Sequence, residues 1–461
     1  MSETFARLRF LGAVGTVTGS RFLLQVRRRN YLVDCGLFQG YKQLRLRNWS
    51  PLAISPRQIN AVLLTHAHLD HSGYLPVLCR DGFSGNIWAT PASRDLCRYL
   101  LPDSGFIQEK DAAFANRHGH SRHHPARPLY TQAEAETCLS QFRTLRIGKP
   151  RRLDKRTELR FLRAGHIPGA AMVDLCIDHG KQHRRIVFSG DLGHEDSATM
   201  PPPDKLDQVD YLVVESTYGN RQRDRSDPEQ ALAEVICSTV ARGGTLIIPA
   251  FAVGRTQLLL HHIRRLIDSR RIPRVPVFLD SPLAINATEV FANHPDDHRL
   301  SVEQAEAACA LPRYVRDPEE SKRLDADPVP KIIIAGSGMA TGGRVLHHLK
   351  VYGPDPRHCI LFSGYQAGGT RGAAMLAGAE TIKIHGQEWP IKAEVRNLDM
   401  LSAHADAGEI IAWLKTLKRP PRQVFIVHGE PEASDALRQR IEDELDFNCV
   451  VPEALQPYEL T

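Results

Sequence analysis

No C-x-x-C pair occurs among the nine cysteines, which are scattered singly along 461 residues. That spacing excludes a zinc knuckle and supplies no disulfide framework, so most of the cysteines are expected as reduced core residues. There is also no uninterrupted apolar run near the ~18 residues that cross a bilayer. The N-terminus, Met1-Ser2-Glu3-Thr4-Phe5-Ala6-Arg7, has no basic region followed by an apolar core. These two absences predict a cytoplasmic protein with no membrane partner. Nucleotide-binding signatures are missing as well: neither G-x-x-x-x-G-K-[ST] nor G-x-G-x-x-G with a downstream ribose carboxylate is complete, so no nucleotide cofactor is expected. Charge of one sign is not in large excess. A formal net charge of +6 suits a polyanionic partner only weakly.

What is present is a cluster of metal-ligand chemistry. The stretch Thr65-His66-Ala67-His68-Leu69-Asp70-His71-Ser72-Gly73 follows the apolar run Ala61-Val62-Leu63-Leu64 and precedes Tyr74-Leu75-Pro76-Val77-Leu78. The spacing predicts a buried strand, a turn and the start of a helix. Three imidazoles and a carboxylate on such a turn supply the nitrogen and oxygen donors that zinc takes, aimed in two directions, which is more than one ion needs. Further donors each follow an apolar strand-like run: Asp34 after Leu32-Val33, His166 after Ala164-Gly165, Asp191 after Ile186-Val187-Phe188-Ser189-Gly190, and His428 after Val424-Phe425-Ile426-Val427.

The rest of the chain reads in blocks. Alternation in Phe5-Ala6-Arg7-Leu8-Arg9-Phe10-Leu11, in 21–26 and in 31–33 predicts strands; residues 92 to 116 predict a helix; Arg117 to Pro125, rich in histidine and arginine, reads as a solvated basic loop. Beyond the Pro-rich break Met200-Pro201-Pro202-Pro203-Asp204 the pattern changes to strand, glycine loop, helix, repeated to about residue 390. Such alternation predicts a parallel sheet flanked by helices. Backbone N–H groups in glycine loops can approach phosphates. Three such loops, with Arg255, then Ser337, Gly338 and Arg344, then Ser363, suit the backbone of a nucleic-acid chain better than a single nucleotide.

These motifs, Asp34 included, resemble the full series of the metallo-β-lactamase superfamily. The segments Leu401-Ser402-Ala403-His404-Ala405-Asp406 and Val427-His428-Gly429-Glu430 resemble its β-CASP branch of nucleic-acid-processing nucleases. The resemblance covers essentially the whole chain. It implies an α/β protein: an αββα sandwich carrying an inserted parallel-sheet α/β domain, with 1–205 as the first part of the sandwich, 206–390 as the insert and 391–461 as the closing part. It implies two Zn²⁺ per chain sharing a hydroxide, one held by His66, His68 and His166, the other by Asp70, His71 and His428, with Asp191 bridging. Asp34 becomes the carboxylate that orients a ligand imidazole. Asp70, Glu215 and His404 are the catalytic set, with His404 as proton donor held by Glu215. One departure stands out, since Gly372-Ala373-Ala374 occupies a place where the resemblance leads one to expect an arginine.

The activity implied is that of a zinc-dependent ribonuclease acting on single-stranded RNA and cutting internally. It is similar to the nuclease subunit of the cleavage and polyadenylation specificity factor in its compact prokaryotic form. His428 matches the RNA-cleaving members. A 5′–3′ exoribonuclease, a non-nucleolytic hydrolase of the same fold and a non-catalytic RNA-binding scaffold remain as alternatives. The sequence admits a homodimer without indicating one.

Overall fold

Alternate side chains of a strand point to opposite faces, so Ala6-Arg7-Leu8-Arg9-Phe10 buries Ala6, Leu8 and Phe10 and exposes Arg7. The computed structural model describes residues 4–119, 123–179 and 182–461. It places this strand in a seven-stranded sheet of order Pro457–Leu460, Ala6–Phe10, Phe22–Val26, Arg29–Val33, Ala61–Leu63, Asn86–Ala89, Phe142–Thr144. A second seven-stranded sheet runs Cys449–Val450, Gln423–Val427, Tyr211–Glu215, Gln182–Phe188, Ala171–His179, Thr157–Arg163, Pro150–Arg152. The inner faces share one core. Leu8, Phe10, Phe22, Val33 and Leu63 of the first sheet meet Phe161, Val173, Phe188, Val213 and Phe425 of the second. Phe22 stacks on Phe188 at 6.1 Å and Phe10 lies 5.3 Å from Phe425. Helices cover the outer faces, among them Pro91–His118 and Pro431–Leu445. The result is the αββα sandwich expected.

In the second sheet Tyr211–Glu215 is parallel to both Gln182–Phe188 and Gln423–Val427, and in the first Arg29–Val33 is parallel to Ala61–Leu63. Side chains at the C-terminal ends of parallel neighbours are brought together at one edge, where open α/β sheets place their ligands.

The chain divides into two compact units, one of Met1–Asp196, Pro202–Gln222 and His404–Thr461, the other of Ser197–Pro201 and Arg223–Ala403. These limits differ from 205/206 and 390/391, for a reason of pairing. Strand Tyr211–Glu215 belongs to the sandwich because it is hydrogen-bonded between two of its strands. Strand Glu394–Asn397 extends the second unit's sheet through Cys359–Phe362.

The second unit's six-stranded sheet is parallel throughout, in the order Arg313–Tyr314, Val277–Asp280, Ile332–Ala335, Leu246–Pro249, Cys359–Phe362, Glu394–Asn397. Its strands bury both faces. Ile332 and Ile334 pack with Leu259 and Ile263 of helix Arg255–Asp268, while Ile333 packs on the other side with Val345 and Leu349 of helix Val345–Tyr352.

All nine cysteines are free, four of them buried and five half-buried. No helix among the described residues is long and apolar enough to cross a membrane. The histidine- and arginine-rich stretch divides: Arg117 and His118 form the last turn of helix Pro91–His118, whereas His120, Ser121 and Arg122 lie outside the described residues.

Candidate metal centre

Strand Ala61–Leu63 ends in Leu64-Thr65-His66-Ala67-His68, and a single helical turn, Leu69–Ser72, carries Asp70 and His71. That turn is clamped to the loop after strand Arg29–Val33: Cys35 N–H donates to the His71 carbonyl at 2.7 Å, and Leu37 N–H to that of Leu69 at 2.8 Å. Only glycine fits between them. A Cβ at Gly36 would lie 1.6 Å from the Asp70 carbonyl oxygen. Two site residues, Asp34 at φ +59° and His428 at φ +52°, hold the left-handed backbone. For a residue with a Cβ that conformation is uncommon and persists where surrounding bonds impose it.

The side chains gather into two donor sets. In one, His66 Nε2 and His166 Nε2 lie 3.2 and 3.3 Å from His68 Nδ1. Asp191 Oδ2 is 3.5 Å from His66 Nε2 and 3.7 Å from His166 Nε2. In the other, His71 Nε2 is 3.1 Å from His428 Nε2, and Asp70 Oδ2 is 3.4 Å from His428 Nε2. Asp191 Oδ1 lies 3.1 Å from His71 Nε2, so this carboxylate presents one oxygen to each set. Ligands ~2.0–2.1 Å from a tetrahedral ion stand at such separations from one another.

Hydrogen bonds turn the nitrogens inward. Asp34, itself receiving Thr65 N–H at 2.8 Å and the Thr65 hydroxyl at 2.9 Å, takes the His71 Nδ1 proton at 2.8 Å and leaves Nε2 with a lone pair facing the cluster. On His428 the Thr217 hydroxyl donates to the backbone carbonyl at 3.3 Å and accepts from Nδ1 at 3.1 Å, with the same effect on Nε2. Lone pairs of neutral imidazoles facing each other at 3.1–3.3 Å can be satisfied only by a proton or a cation between them. The donor set therefore fits metal.

Electrostatics agree. Burial, and then His71, push the His66 imidazole well below its ordinary pKa, which keeps it a neutral ligand. Burial also lowers His71, but the carboxylates of Asp191, Asp34 and Asp70 outweigh it and raise that imidazole well above its usual value. For Asp191 burial works upward, yet His71, His428 and His66 hold the carboxyl well below the usual range. An excess of buried carboxylate of this kind calls for positive charge, which a divalent ion supplies.

Beside the donor sets stand Glu215 and His404. Glu215 is 1% exposed, accepts backbone N–H bonds from Leu192 at 2.7 Å and Thr217 at 3.2 Å, and lies 3.2 Å from His404 Nδ1. Burial opposes a charge on His404, but Glu215, then Asp191 and Asp70, raise its pKa above the ordinary value. The His404 loop is pinned: Ala405 N–H donates to the Leu192 carbonyl at 2.8 Å, and Asp406 caps helix Ala407–Leu414. Glu409 closes that cap and meets buried His194 at 2.8 Å. Glu215 also stands within ligand reach of Asp191 and His428.

Every residue expected at the metal centre is thus brought together in the first unit. Thr65, Thr217, His194 and Glu409 escaped sequence reasoning, because a hydroxyl or carboxylate that orients a neighbour has no periodic signal. The residues expected to meet phosphate are held by partners within the second unit. Arg344 donates to Asp280 at 2.5 Å and to the carbonyls of Val315 and Arg316, so its guanidinium braces the second unit. Ser337 Oγ accepts from the N–H groups of Thr341 and Gly342 and closes its own loop. Gly338 is packed on Phe251, Arg255 is 7% exposed with its guanidinium under Gly364, and Ser363 is buried.

Three domain families match the chain in order. Residues 14–99 match the metallo-beta-lactamase superfamily, 256–375 the Beta-Casp domain, and 388–452 the Zn-dependent metallo-hydrolase RNA specificity domain. The chain is 36% identical to Ribonuclease TTHA0252 of Thermus thermophilus over 434 residues, which is 92% of this chain and 94% of that one. It is 31% identical to the transcription termination factor FttA of Methanosarcina mazei, over 94% of this chain and 68% of that one. A crystal structure of a protein of unknown function from Enterococcus faecalis V583 shares the fold, with a TM-score of 0.56, 13% identity, and 99% and 100% of the two chains covered. The donor sets at the sandwich edge and a relative this similar over nearly its whole length lead to one conclusion: the chain belongs to the β-CASP group of the metallo-β-lactamase superfamily.

Proposed function

We propose that this chain is a zinc-dependent ribonuclease that hydrolyses phosphodiester bonds within single-stranded RNA, using two zinc ions. The observation that carries the reading is Asp191, one oxygen toward each donor set, with the His404–Glu215 pair beside it. His66, His68 and His166 would hold one ion, Asp70, His71 and His428 the other, and Asp191 both. Bound there, zinc supplies Lewis acidity, acidifying water and neutralising charge on a phosphate.

The remaining work belongs to side chains. Glu215, fixed by two backbone N–H groups, keeps a proton on His404 and orients the ring. When a water loses a proton to solvent and its oxygen adds to phosphorus, the P–O3′ bond breaks and the His404 proton passes to the leaving 3′-oxygen. The products are a 5′-phosphate and a 3′-hydroxyl. The 2′-hydroxyl takes no part, so no cyclic phosphate forms. Single-stranded RNA fits because unstacked nucleotides reach a buried reactive centre without the expense of opening a duplex. The name of the Thermus relative and the match of 388–452 to an RNA specificity domain support RNA as the substrate.

The test uses circular and linear single-stranded RNA with the zinc-loaded protein. Linearisation of the circle, with 5′-phosphate and 3′-hydroxyl ends, is the expected result. A circle that persists while linear 5′-monophosphate RNA is consumed to mononucleotides would make the protein an exonuclease. Hydrolysis of neither RNA would remove the ribonuclease reading altogether.

A further inference from the structure

The loop that follows strand Arg29–Val33 in the first unit carries a short helix, Lys42–Leu46, and one 3₁₀ turn, Arg47–Trp49. Polar bonds at both ends fix it. The Asn48 side chain accepts Phe38 N–H at 2.9 Å and donates to the Phe38 carbonyl at 2.8 Å, which closes the segment on itself. Buried Arg21 donates to Asn48 at 3.2 Å and to the Gly36 carbonyl at 2.8 Å. Gly36 is the residue pressed against the Asp70 carbonyl, so the segment is anchored to the helical turn that carries Asp70 and His71. Asn48 is turned inward, and Leu44, four positions earlier, is half-buried.

The outward face is apolar and basic at once. Positions 41, 45 and 49 recur every four residues with 42 and 46 beside them, so Tyr41, Lys42, Arg45, Leu46 and Trp49 share it. Tyr41, Leu46 and Trp49 are 57%, 53% and 59% exposed, and no large apolar side chain among the described residues is more exposed than Trp49. Rings held open on a pinned frame keep apolar area that a partner can cover. Charge gives the sign of that partner. No aspartate or glutamate occurs between Asp34 and Asp70, and among the described residues neither Lys42 nor Arg45 has a carboxylate partner. A helix that lies on a membrane segregates its cations from its apolar face, whereas here the cations stand among the rings. Cations interleaved with exposed aromatics suit unpaired bases, which stack while their phosphates are neutralised.

We propose that the outward face of segment 41–49 is a stacking platform for single-stranded RNA, with bases on Tyr41 and Trp49 and phosphates on Lys42 and Arg45. Eight residues of helix separate the two rings by about 12 Å along the axis, so each takes a different base. The segment leaves the C-terminal end of strand Arg29–Val33, the edge at which the donor sets gather, and Tyr41 lies at most about 18 Å from Gly36 by chain length alone. The inference rests on the ribonuclease reading for the choice of RNA among single-stranded nucleic acids. It adds a surface that holds the strand outside the metal centre and touches none of the reacting groups.

Fluorescence anisotropy with 5′-labelled oligoadenylate tests it, on zinc-loaded protein carrying His404→Ala so that binding is read with cleavage slowed. Trp49→Ala should weaken binding ~10-fold, the loss of one stacked base, with the slope of log affinity against log salt unchanged. Trp49→Phe keeps a ring and should restore most of the affinity, while the quenching of tryptophan emission by RNA becomes smaller. Lys42→Gln and Arg45→Gln should each reduce the salt slope by ~0.7, one single-strand phosphate contact. All three side chains are exposed, so these variants keep the fold. Parental affinity and slope in every variant overturn the platform, as does binding of anionic phospholipid vesicles through Trp49 with no binding of RNA. If the wild type cleaves RNA while the variants bind unchanged, the platform alone fails. If the variants lose binding but the wild type cleaves nothing, the ribonuclease reading fails and the platform stands.

Discussion

His404 shows how a single side chain is given a role by its neighbours. Its ring faces Glu215 at 3.2 Å, whereas Asp191 is 4.0 Å away, which is the pairing that the proposed proton transfer requires. His404→Ala should lower turnover by ~10²-fold or more with zinc content unchanged, since a positioned general acid contributes about that much. Measuring kcat and zinc on the same preparation decides it, for zinc lost together with the imidazole would make His404 a ligand. Serine, alanine and aspartate around this histidine made the motif legible in the sequence. What the sequence did not disclose is Thr217, whose hydroxyl orients His428 from 211 positions away.

At the scale of elements, the second unit contains a buried network of its own. His348, on helix Val345–Tyr352, bonds Asp325 at 2.6 Å and Asp280, at the end of strand Val277–Asp280, at 2.9 Å. Arg344 and Ser321 complete the shell of Asp280. Burial lowers His348, but bonds to the two carboxylates prevail and raise its pKa from 6.5 to about 9. A group raised in the folded state contributes its full stability below the unfolded pKa and loses it as pH rises through the folded value. The contribution, roughly 3 kcal/mol, is thus present below pH 6.5 and fades toward pH 9. Urea unfolding of wild type and His348→Gln at several pH values should show a gap that is widest near pH 6 and closes by pH 9–10. A gap independent of pH would mean that His348 contributes packing alone. The glycine loops show the limit of reading elements from sequence. Strand, loop and helix were legible from period and composition, yet the arginine of the second loop is turned to Asp280, a partner 64 positions away.

For the whole molecule, the metal centre couples folding to ligand binding. Five histidines and two aspartates are drawn from segments spread between His66 and His428, so an ion that binds only their assembled form stabilises the fold through mass action. Elemental analysis is expected to find two zinc ions per chain. Chelation should lower the melting temperature along with RNA hydrolysis, since a ligand at 1,000 times its Kd contributes ~4 kcal/mol. Asp191→Ala, which removes an oxygen from each donor set, should lose both ions and show little further change on chelation. One ion per chain with full activity would end the two-ion reading.

The sequence by itself determined the donor types and the parallel sheet of the second unit. His-x-His-x-Asp-His, the strand-end residues Asp34, Asp191, Glu215 and His428, and the repeated strand-glycine-helix pattern are local features, written in period and side-chain chemistry. Tertiary structure alone decided which imidazole Asp34 orients, that Tyr211–Glu215 joins the sandwich and not the insert, and that Arg344 braces a carboxylate instead of facing solvent. The physical reason is range. Pairs such as His71 and His428 are 357 residues apart, and the backbone bonds and packing that make them neighbours leave no mark on either segment's own pattern.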